Sequence, residues 1–125
     1  MRDTPGPQAM SDSRQRKVEG ELQRTLAALV SRDVKDPRVG NVTITHVDVA
    51  PDLKTARVFF VPFASSHDVA EVRAGLTRAA GFLRGEAGRR LGLRYAPRLE
   101  FLFDERIDEA DRLTRLIDRA VKPRQ

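Results

Sequence analysis

With 125 residues, 40% hydrophobic and 33% charged, the chain suits one globular domain with a single modest core, and no apolar stretch is long enough to cross a bilayer. It has no cysteine and only two histidines, which excludes disulfides and thiol nucleophiles and argues against a zinc site. The net charge of +5 favours an acidic partner, and residues 1–13 hold no hydrophobic signal region, so we expect a cytoplasmic protein.

The first third of the chain predicts a tail followed by one amphipathic helix. Proline, glycine and serine in residues 1–13 predict a disordered N-terminal tail. Apolar residues then recur at helical spacing over about residues 14–32, with Ser11 or Ser13 as the expected N-cap. The turn-forming residues at 36–41 predict where this helix ends.

Two strands joined by a short turn are predicted next. Apolar and polar side chains alternate along residues 42–45, with the apolar ones at even positions. The next apolar residues, Val47 and Val49, lie at odd positions, which is the opposite phase. This change of phase predicts a bulge near His46. Residues 55–63 form the second predicted strand, since apolar side chains alternate along it.

The second half of the chain predicts two short helices, a third strand and a terminal helix. Residues 65–68 offer an N-cap for an apolar stripe that continues from Val69 to Leu91. Ala79, Ala80 and Gly81 interrupt this stripe, which predicts a break between two helices. The third strand is expected at 98–103 and a C-terminal helical extension at 105–125.

This order of elements predicts an α+β fold. Three short strands can bury only one face if all helices pack on that side, which gives a two-layer sandwich. The third strand follows a helical crossover, so we expect it to run parallel to one of the first two strands.

The positive charge is concentrated in one segment. Between Arg73 and Arg98 there are seven arginines and one acid, Glu86, so this window carries +6 while the whole chain carries +5. A focused basic segment is typical of a site for a polyanion, most often a nucleic acid.

Four glycines follow the predicted break at spacings of four, three and four residues and therefore form one helical stripe. They are Gly81, Gly85, Gly88 and Gly92. Arg84 and Arg89 flank this stripe, and bare backbone would let a polymer backbone approach closely. The alternative is that the glycines only allow close packing of helix and sheet.

No pattern in the sequence supports catalysis, and we expect no cofactor, no metal and no small-molecule substrate. There is no phosphate-binding Walker loop and no serine elbow. The acids from Asp104 to Asp111 could form a metal cluster, but on a helix they are more typical of charge pairs with neighbouring arginines. The phenylalanines of the strands could stack on bases, although the core needs most of them.

The chain resembles bacterial ribosome-binding factor A over about residues 13–120. No single motif carries the resemblance; the order and spacing of several do. They are Arg16-Lys17-Val18, Lys35-Asp36-Pro37-Arg38 with Gly40, Val49 to Asp52-Leu53, residues 56–60, Ala79-Ala80-Gly81-Phe82 with Arg84, and Leu93-Arg94 with Pro97, Leu99, Phe101 and Asp104.

The resemblance implies a type II KH-like domain over residues 14–104. In this family an Ala-x-Gly kink between two helices replaces the Gly-x-x-Gly loop of other KH domains, and here the kink is Ala79-Ala80-Gly81. Since KH domains that clamp single strands use the Gly-x-x-Gly loop, ordinary clamping is not expected at this kink.

The resemblance also implies a function. Family members bind the free 30S small ribosomal subunit and its 16S rRNA, assist late maturation including processing of the rRNA 5′ end, and are associated with cold adaptation. The implied protein is non-catalytic, and the alternatives are an RNA-processing nuclease and a general basic RNA- or DNA-binding protein. We also expect a monomer, because no large exposed apolar face demands a dimer.

The resemblance and the charge pattern together give a set of expected RNA-binding residues. Ala79 and Gly81 would set the kink, Gly88 belongs to the glycine stripe, and a second patch lies on the first helix. The expected phosphate contacts are Arg78, Arg84, Arg89, Arg90 and Arg94, and the second patch comprises Arg14, Arg16 and Lys17.

Overall fold

The computed structural model describes residues 7–63 and 65–106, with side chains of the first helix from Ser13 onward. The elements follow the predicted order, and most of the predicted terminal helix, residues 107–125, lies outside the described residues. The elements are α1 (Pro7–Asp33), β1 (Val42–Val49), β2 (Thr55–Pro62), α2 (Val69–Arg78), α3 (Ala80–Leu91) and β3 (Arg98–Phe103).

Helix α1 begins earlier than the sequence predicted. It starts at Pro7 rather than near Arg14, so part of the expected disordered tail is helical, and Ser11 and Ser13 lie inside the helix instead of at its N-cap. Proline suits a first helical position, because the N–H that it lacks would have no partner there. None of the helices in the described part of the chain is both long and apolar enough to span a membrane.

The three strands form one mixed sheet in the order β1-β2-β3. Strands β1 and β2 are antiparallel, whereas β2 and β3 are parallel, which confirms the orientation predicted from the helical crossover. The register shifts between Ile44 and His46, which confirms the predicted bulge. Thr45 at the bulge donates from Oγ1 to Asp104 Oδ2 at 2.6 Å, so the bulge is fastened to the end of β3.

One face of the sheet packs against the helices and forms the core. The buried side chains include Leu22, Leu26 and Leu29 of α1, Ala56, Val58 and Phe60 of β2, Val72 and Leu76 of α2, Leu83 and Ala87 of α3, and Leu99 and Phe101 of β3. Full burial of one large apolar side chain stabilises the fold by about 1.5–3 kcal/mol. Because Phe60 and Phe101 lie in this core, they are not available to stack on bases.

The two helices of the second half meet at the predicted break. Asp68 caps α2 through a capping box, in which its side chain accepts from Glu71 N at 2.9 Å and the Glu71 side chain accepts from Asp68 N at 3.0 Å. Ala79, with φ −83° and ψ −2°, separates α2 from α3, which confirms the kink. Gly92 ends α3 in the left-handed region at φ 65°, where glycine carries no steric penalty.

Candidate nucleic-acid interface

A groove at the C-terminal end of α3 brings together cationic side chains that are far apart in the sequence. It encloses about 940 Å³ between the N-terminal part of α1, the turn between β1 and β2, and the loop that leads into β3. Among the described residues, five cations and one acid line it. These charged residues are Arg14, Asp52, Lys54, Arg84, Arg94 and Arg98, and we call the site the cationic groove.

Hydrogen bonds to the sheet fix the wall that α1 contributes. Gln15 Nε2 donates to the carbonyl oxygen of Val49 at 2.5 Å, and Glu19 Oε2 accepts from Val49 N at 2.8 Å. These contacts join α1 to the end of β1 and hold Arg14 beside the turn between the strands. The first helix therefore contributes to the groove, which the sequence could not show.

The turn between β1 and β2 is joined to the start of β3. Arg98 N donates to the carbonyl oxygen of Lys54 at 2.8 Å, which places these two cationic residues side by side. Asp52 Oδ1 accepts from Lys54 N at 3.0 Å, so the acid of the groove also stabilises the turn. The cationic groove thus has a wall whose position the sheet determines.

The loop after α3 is held closely against that helix. Leu93 N donates to Gly88 O at 2.9 Å, and Arg84 Nε donates to Ala96 O at 3.0 Å. A Cβ on Gly88 would lie 3.0 Å from the Cβ of Ala96, so glycine lets the loop approach. Gly88 is buried, which favours the packing alternative at this position, and its contact with RNA stays a prediction.

The other glycines of the stripe have separate roles. Gly92 supplies the left-handed end of α3, whereas Gly81 and Gly85 are exposed, with open space where a Cβ would lie. Gly81 does not have a positive φ, so the kink does not require glycine at this position for conformational reasons. Bare backbone is therefore presented to solvent at Gly81 and Gly85, and the expected contact of Gly81 with RNA stays a prediction.

A second basic surface lies next to the kink. Arg78 lines a shallow groove of about 650 Å³ together with Arg38 and Arg73. Arg38 is already engaged, because its Nη2 and Nε donate to the two carboxylate oxygens of Asp36 at 2.7 and 3.0 Å. These hydrogen bonds lower the pKa of Asp36 from 3.8 to about 2, with a smaller contribution from the charge of Arg78. This surface is less cationic than its arginines alone suggest.

The remaining arginines of α3 are ion-paired. Arg89 forms an ion pair with Glu86, and Arg90 Nε lies 3.5 Å from the other oxygen of the same carboxylate. Arg90 also reaches Asp33 at the end of α1, with a separation of 4.0 Å. These two arginines are exposed, but two acids offset their charge.

The structure therefore divides the expected contact residues into groups. Arg14, Arg84 and Arg94 lie together in the cationic groove, which joins the two patches that the sequence treated separately. Arg16 and Lys17 are exposed on α1 but do not line the groove.

Sequence reasoning missed two cations of the groove, Lys54 and Arg98, and its aromatic ring, Tyr95. Arg98 lies inside the basic window, but its proximity to Lys54 depends on the parallel pairing of β2 with β3. Tyr95 is the single tyrosine of the chain and stands between Arg94 and Arg98, which is a signal that could have identified it.

Asp104, considered as part of an acidic cluster, is buried and structural. It accepts from Thr45 Oγ1 at 2.6 Å and from Arg106 N at 3.1 Å. The acids of this segment beyond residue 106 lie outside the described residues. Within residues 7–63 and 65–106, no three histidine or acidic side chains are grouped so that they could hold a metal ion.

Comparison with known proteins gives one consistent result. The family model described as ribosome-binding factor A matches residues 14–117. The ribosome-binding factor A of Azoarcus sp. (strain BH72) is 46% identical over 110 residues, which cover 88% of this chain and 87% of that protein. That of Thioalkalivibrio sulfidiphilus is 47% identical over 109 residues, which cover 87% and 84%.

Solved structures agree with the sequence matches. The crystal structure of ribosome-binding factor A from Thermus thermophilus superposes with a TM-score of 0.62 at 28% identity, covering 70% of this chain and 93% of that one. A model of the Thermus thermophilus protein fitted into a cryo-electron-microscopy map of its 30S complex gives 0.58 at 29% identity, covering 68% and 89%. The KH-like fold is confirmed, and the chain belongs to the ribosome-binding factor A family.

Proposed function

We propose that this chain binds the free 30S ribosomal subunit through its 16S rRNA and that the cationic groove is a main contact. The observation that carries the proposal is the convergence of Arg14, Lys54, Arg84, Arg94 and Arg98 in one groove. The Thermus thermophilus relative, 29% identical, has been fitted into a map of a 30S complex, which supports the choice of partner.

The groove suits a phosphate backbone for electrostatic and geometric reasons. Guanidinium groups form two parallel hydrogen bonds with phosphate oxygens, and each neutralised phosphate releases counterions. No acid among the described residues lies within ion-pairing distance of Arg84 or Arg94, so binding does not have to break an existing salt bridge there. We therefore expect affinity for rRNA to fall steeply as salt is raised.

The proposed action is non-catalytic and requires no cofactor. A protein that binds one arrangement of rRNA more tightly than another shifts the population toward that arrangement. In this way the chain would assist late maturation of the subunit, including processing of the 16S rRNA 5′ end, and would leave before translation begins. The proposal includes a monomeric protein in the cytoplasm with a role in cold adaptation.

A general basic RNA- or DNA-binding protein is the second candidate. The exposed basic residues outside the groove, such as Arg16, Lys17 and Arg73, favour it, because scattered cations bind any polyanion. The two candidates differ in selectivity: the first requires preference for free 30S particles over complete ribosomes and duplex DNA.

Co-sedimentation on sucrose gradients tests the proposal. Purified protein is mixed with 30S particles, complete ribosomes or duplex DNA at low and moderate salt. We expect salt-sensitive migration with free 30S particles and not with complete ribosomes. Equal binding to all three would favour the general binder, and no binding at low salt would reject both candidates.

A further inference from the structure

We propose that the cationic groove takes an unpaired RNA segment rather than a duplex, and that one of its bases stacks on Tyr95. This inference rests on the proposed function and specifies the form of RNA that the site recognises.

The exposure of Tyr95 is the first observation. Tyr95 is 80% exposed, more than the other exposed large apolar residues in the described part of the chain, Phe63 at 52% and Phe82 at 47%. A large ring left in water contributes little to the core, and an exposed aromatic ring beside cations is the surface on which nucleic-acid bases stack.

The loop that carries Tyr95 is fixed by contacts of its other residues and not by the Tyr95 ring. Next to it, Ala96 accepts the hydrogen bond from Arg84, and Pro97 is buried. On the other side, Leu93 N is bonded to Gly88 O at 2.9 Å. The ring is therefore presented by a fixed backbone, which lowers the entropy lost when a ligand binds.

The position of Arg94 is the second observation. Its guanidinium lies 5.8 Å from the centre of the Tyr95 ring, at cation–π distance. Arginine beside an aromatic ring can contact a phosphate while the ring contacts the attached base. Sites for single strands combine cations along the backbone with aromatic side chains under the bases.

A duplex would satisfy only part of this arrangement. Its bases already stack on one another, so a side chain can stack only on a terminal or displaced base. A duplex would meet the cations of the groove and leave Tyr95 without a partner. The combination of ring and cations thus favours an unpaired segment.

The proposed site is separate from the kink. Tyr95 follows the C-terminal end of α3, whereas Ala79 precedes its first residue. The loop that holds Tyr95 packs back against Gly88 and Arg84, and Ala79 is not among the described residues that line the cationic groove. The chain would therefore bind an unpaired strand without the helix–loop–helix clamp of other KH domains.

Intrinsic fluorescence reports on this site directly. The chain has one tyrosine and no tryptophan, so its tyrosine emission comes from Tyr95 alone. We would titrate the full chain with a mixed-sequence RNA of about eight nucleotides and with the same RNA annealed to its complement. Saturable quenching by the single strand, with weaker quenching by the duplex, is expected.

A control variant moves the fluorophore. Tyr95→Phe combined with Phe82→Tyr keeps an aromatic ring at both positions and places the single tyrosine beside the kink. This variant should bind the same RNA with little quenching beyond the absorbance of the RNA itself. Quenching equal to that of the unmodified chain would overturn the assignment to Tyr95.

Substitution of Tyr95 tests how much its ring contributes to affinity. The affinity is measured from the fluorescence anisotropy of a fluorescein-labelled single-stranded RNA. Tyr95→Leu should weaken binding by about 5- to 150-fold, since base stacking on an aromatic ring contributes that much, and Tyr95→Phe should bind almost as the unmodified chain does. Phe82→Leu is the matched control and should leave the affinity unchanged.

The outcomes separate this inference from the proposed function. Binding of 30S particles together with an unaltered Tyr95 signal on adding single-stranded RNA would overturn the inference and leave the proposed function standing. Equal quenching by duplex RNA would also overturn it. Loss of all binding to 30S particles would reject the proposed function and the inference together.

Discussion

The two sides of α3 carry the same kind of side chain in different electrostatic states. On one side, Arg84 donates to the backbone oxygen of Ala96 and its charge faces the cationic groove. On the other side, Arg89 and Arg90 pair with Glu86, and Arg90 also approaches Asp33. A count of arginines along α3 would make the second side the more basic, with two arginines against one.

The difference shows that charge available for a ligand depends on which elements surround an arginine. Arg84 faces the turn between β1 and β2 and the loop into β3, where Asp52 is the one acid that the described residues contribute. Arg90 faces the end of α1, where Asp33 lies. Packing of the helices therefore directs free positive charge toward one side of the domain.

The largest expected difference between the two sides of α3 is the loss of 30S affinity when arginines are removed from one side or from the other. Arg84→Gln with Arg94→Gln removes two cations of the groove, and each charge-assisted contact contributes about 1.5–3 kcal/mol. We expect affinity for 30S particles to fall on the order of 100-fold or more. Co-sedimentation over a protein titration measures this change.

The matched control is Arg89→Gln with Arg90→Gln, which alters the net charge by the same amount. Exposed ion pairs of this kind stabilise by about 0–1 kcal/mol, so we expect a small effect on both folding and binding. An equal loss of binding in the two double variants would show that the two sides do not differ in function.

Glycine substitutions test whether the groove depends on its closely packed loop. Gly88→Val places a branched side chain against Ala96, where the Cβ alone would already lie at 3.0 Å. Overpacking of this kind costs about 1–3 kcal/mol, and we expect a lower unfolding midpoint in urea together with weaker 30S binding. Gly85→Val, in open space, should leave both close to the unmodified values.

A smaller effect is expected from Gly85→Ala. The added Cβ meets no atom within 4 Å, and alanine is favoured over glycine within a helix by up to about 1 kcal/mol. We therefore expect a modest rise in the thermal midpoint with unchanged 30S binding. Weaker binding by this more stable variant would show that RNA approaches the bare backbone of the glycine stripe.

The smallest expected effect is a pH-dependent change in the free energy of unfolding, and it comes from the Asp36–Arg38 ion pair near the kink. The pKa of Asp36 is lowered to about 2 from its ordinary 3.8, so its pairing with Arg38 stabilises the fold above about pH 4 and is lost as the pH falls toward 2. Asp36→Asn lacks this contribution at every pH. Urea unfolding at pH 4 and pH 2 should show a larger loss for the unmodified chain than for this variant.

Much of the fold could be predicted because it depends on local patterns. The change of phase around His46 predicted the bulge, and the interruption at Ala79 predicted the kink. The start of α1 was placed too late, since Pro5, Gly6 and Pro7 suggest a turn although proline is also favoured in the first turn of a helix.

The site was less predictable because it depends on contacts between distant segments. The sequence identified a basic window but could not distinguish Arg84, which faces the groove, from Arg90, which faces Asp33. Neither could it place Arg14 beside Lys54, because that proximity depends on how α1 packs on the sheet. Glycine spacing also could not separate buried Gly88 from exposed Gly85.

Directed cleavage of rRNA from a tethered reagent tests the central claim most directly. The chain has no cysteine, so Thr55→Cys in the groove and Ser31→Cys on α1 each provide a single exposed attachment site for an iron chelate that generates hydroxyl radicals. With equal amounts of each conjugate bound to 30S particles, we predict strong, localised cleavage of 16S rRNA from position 55 and weak cleavage from position 31. Equal cleavage from both positions, or stronger cleavage from position 31, would contradict the assignment of the cationic groove as the rRNA contact.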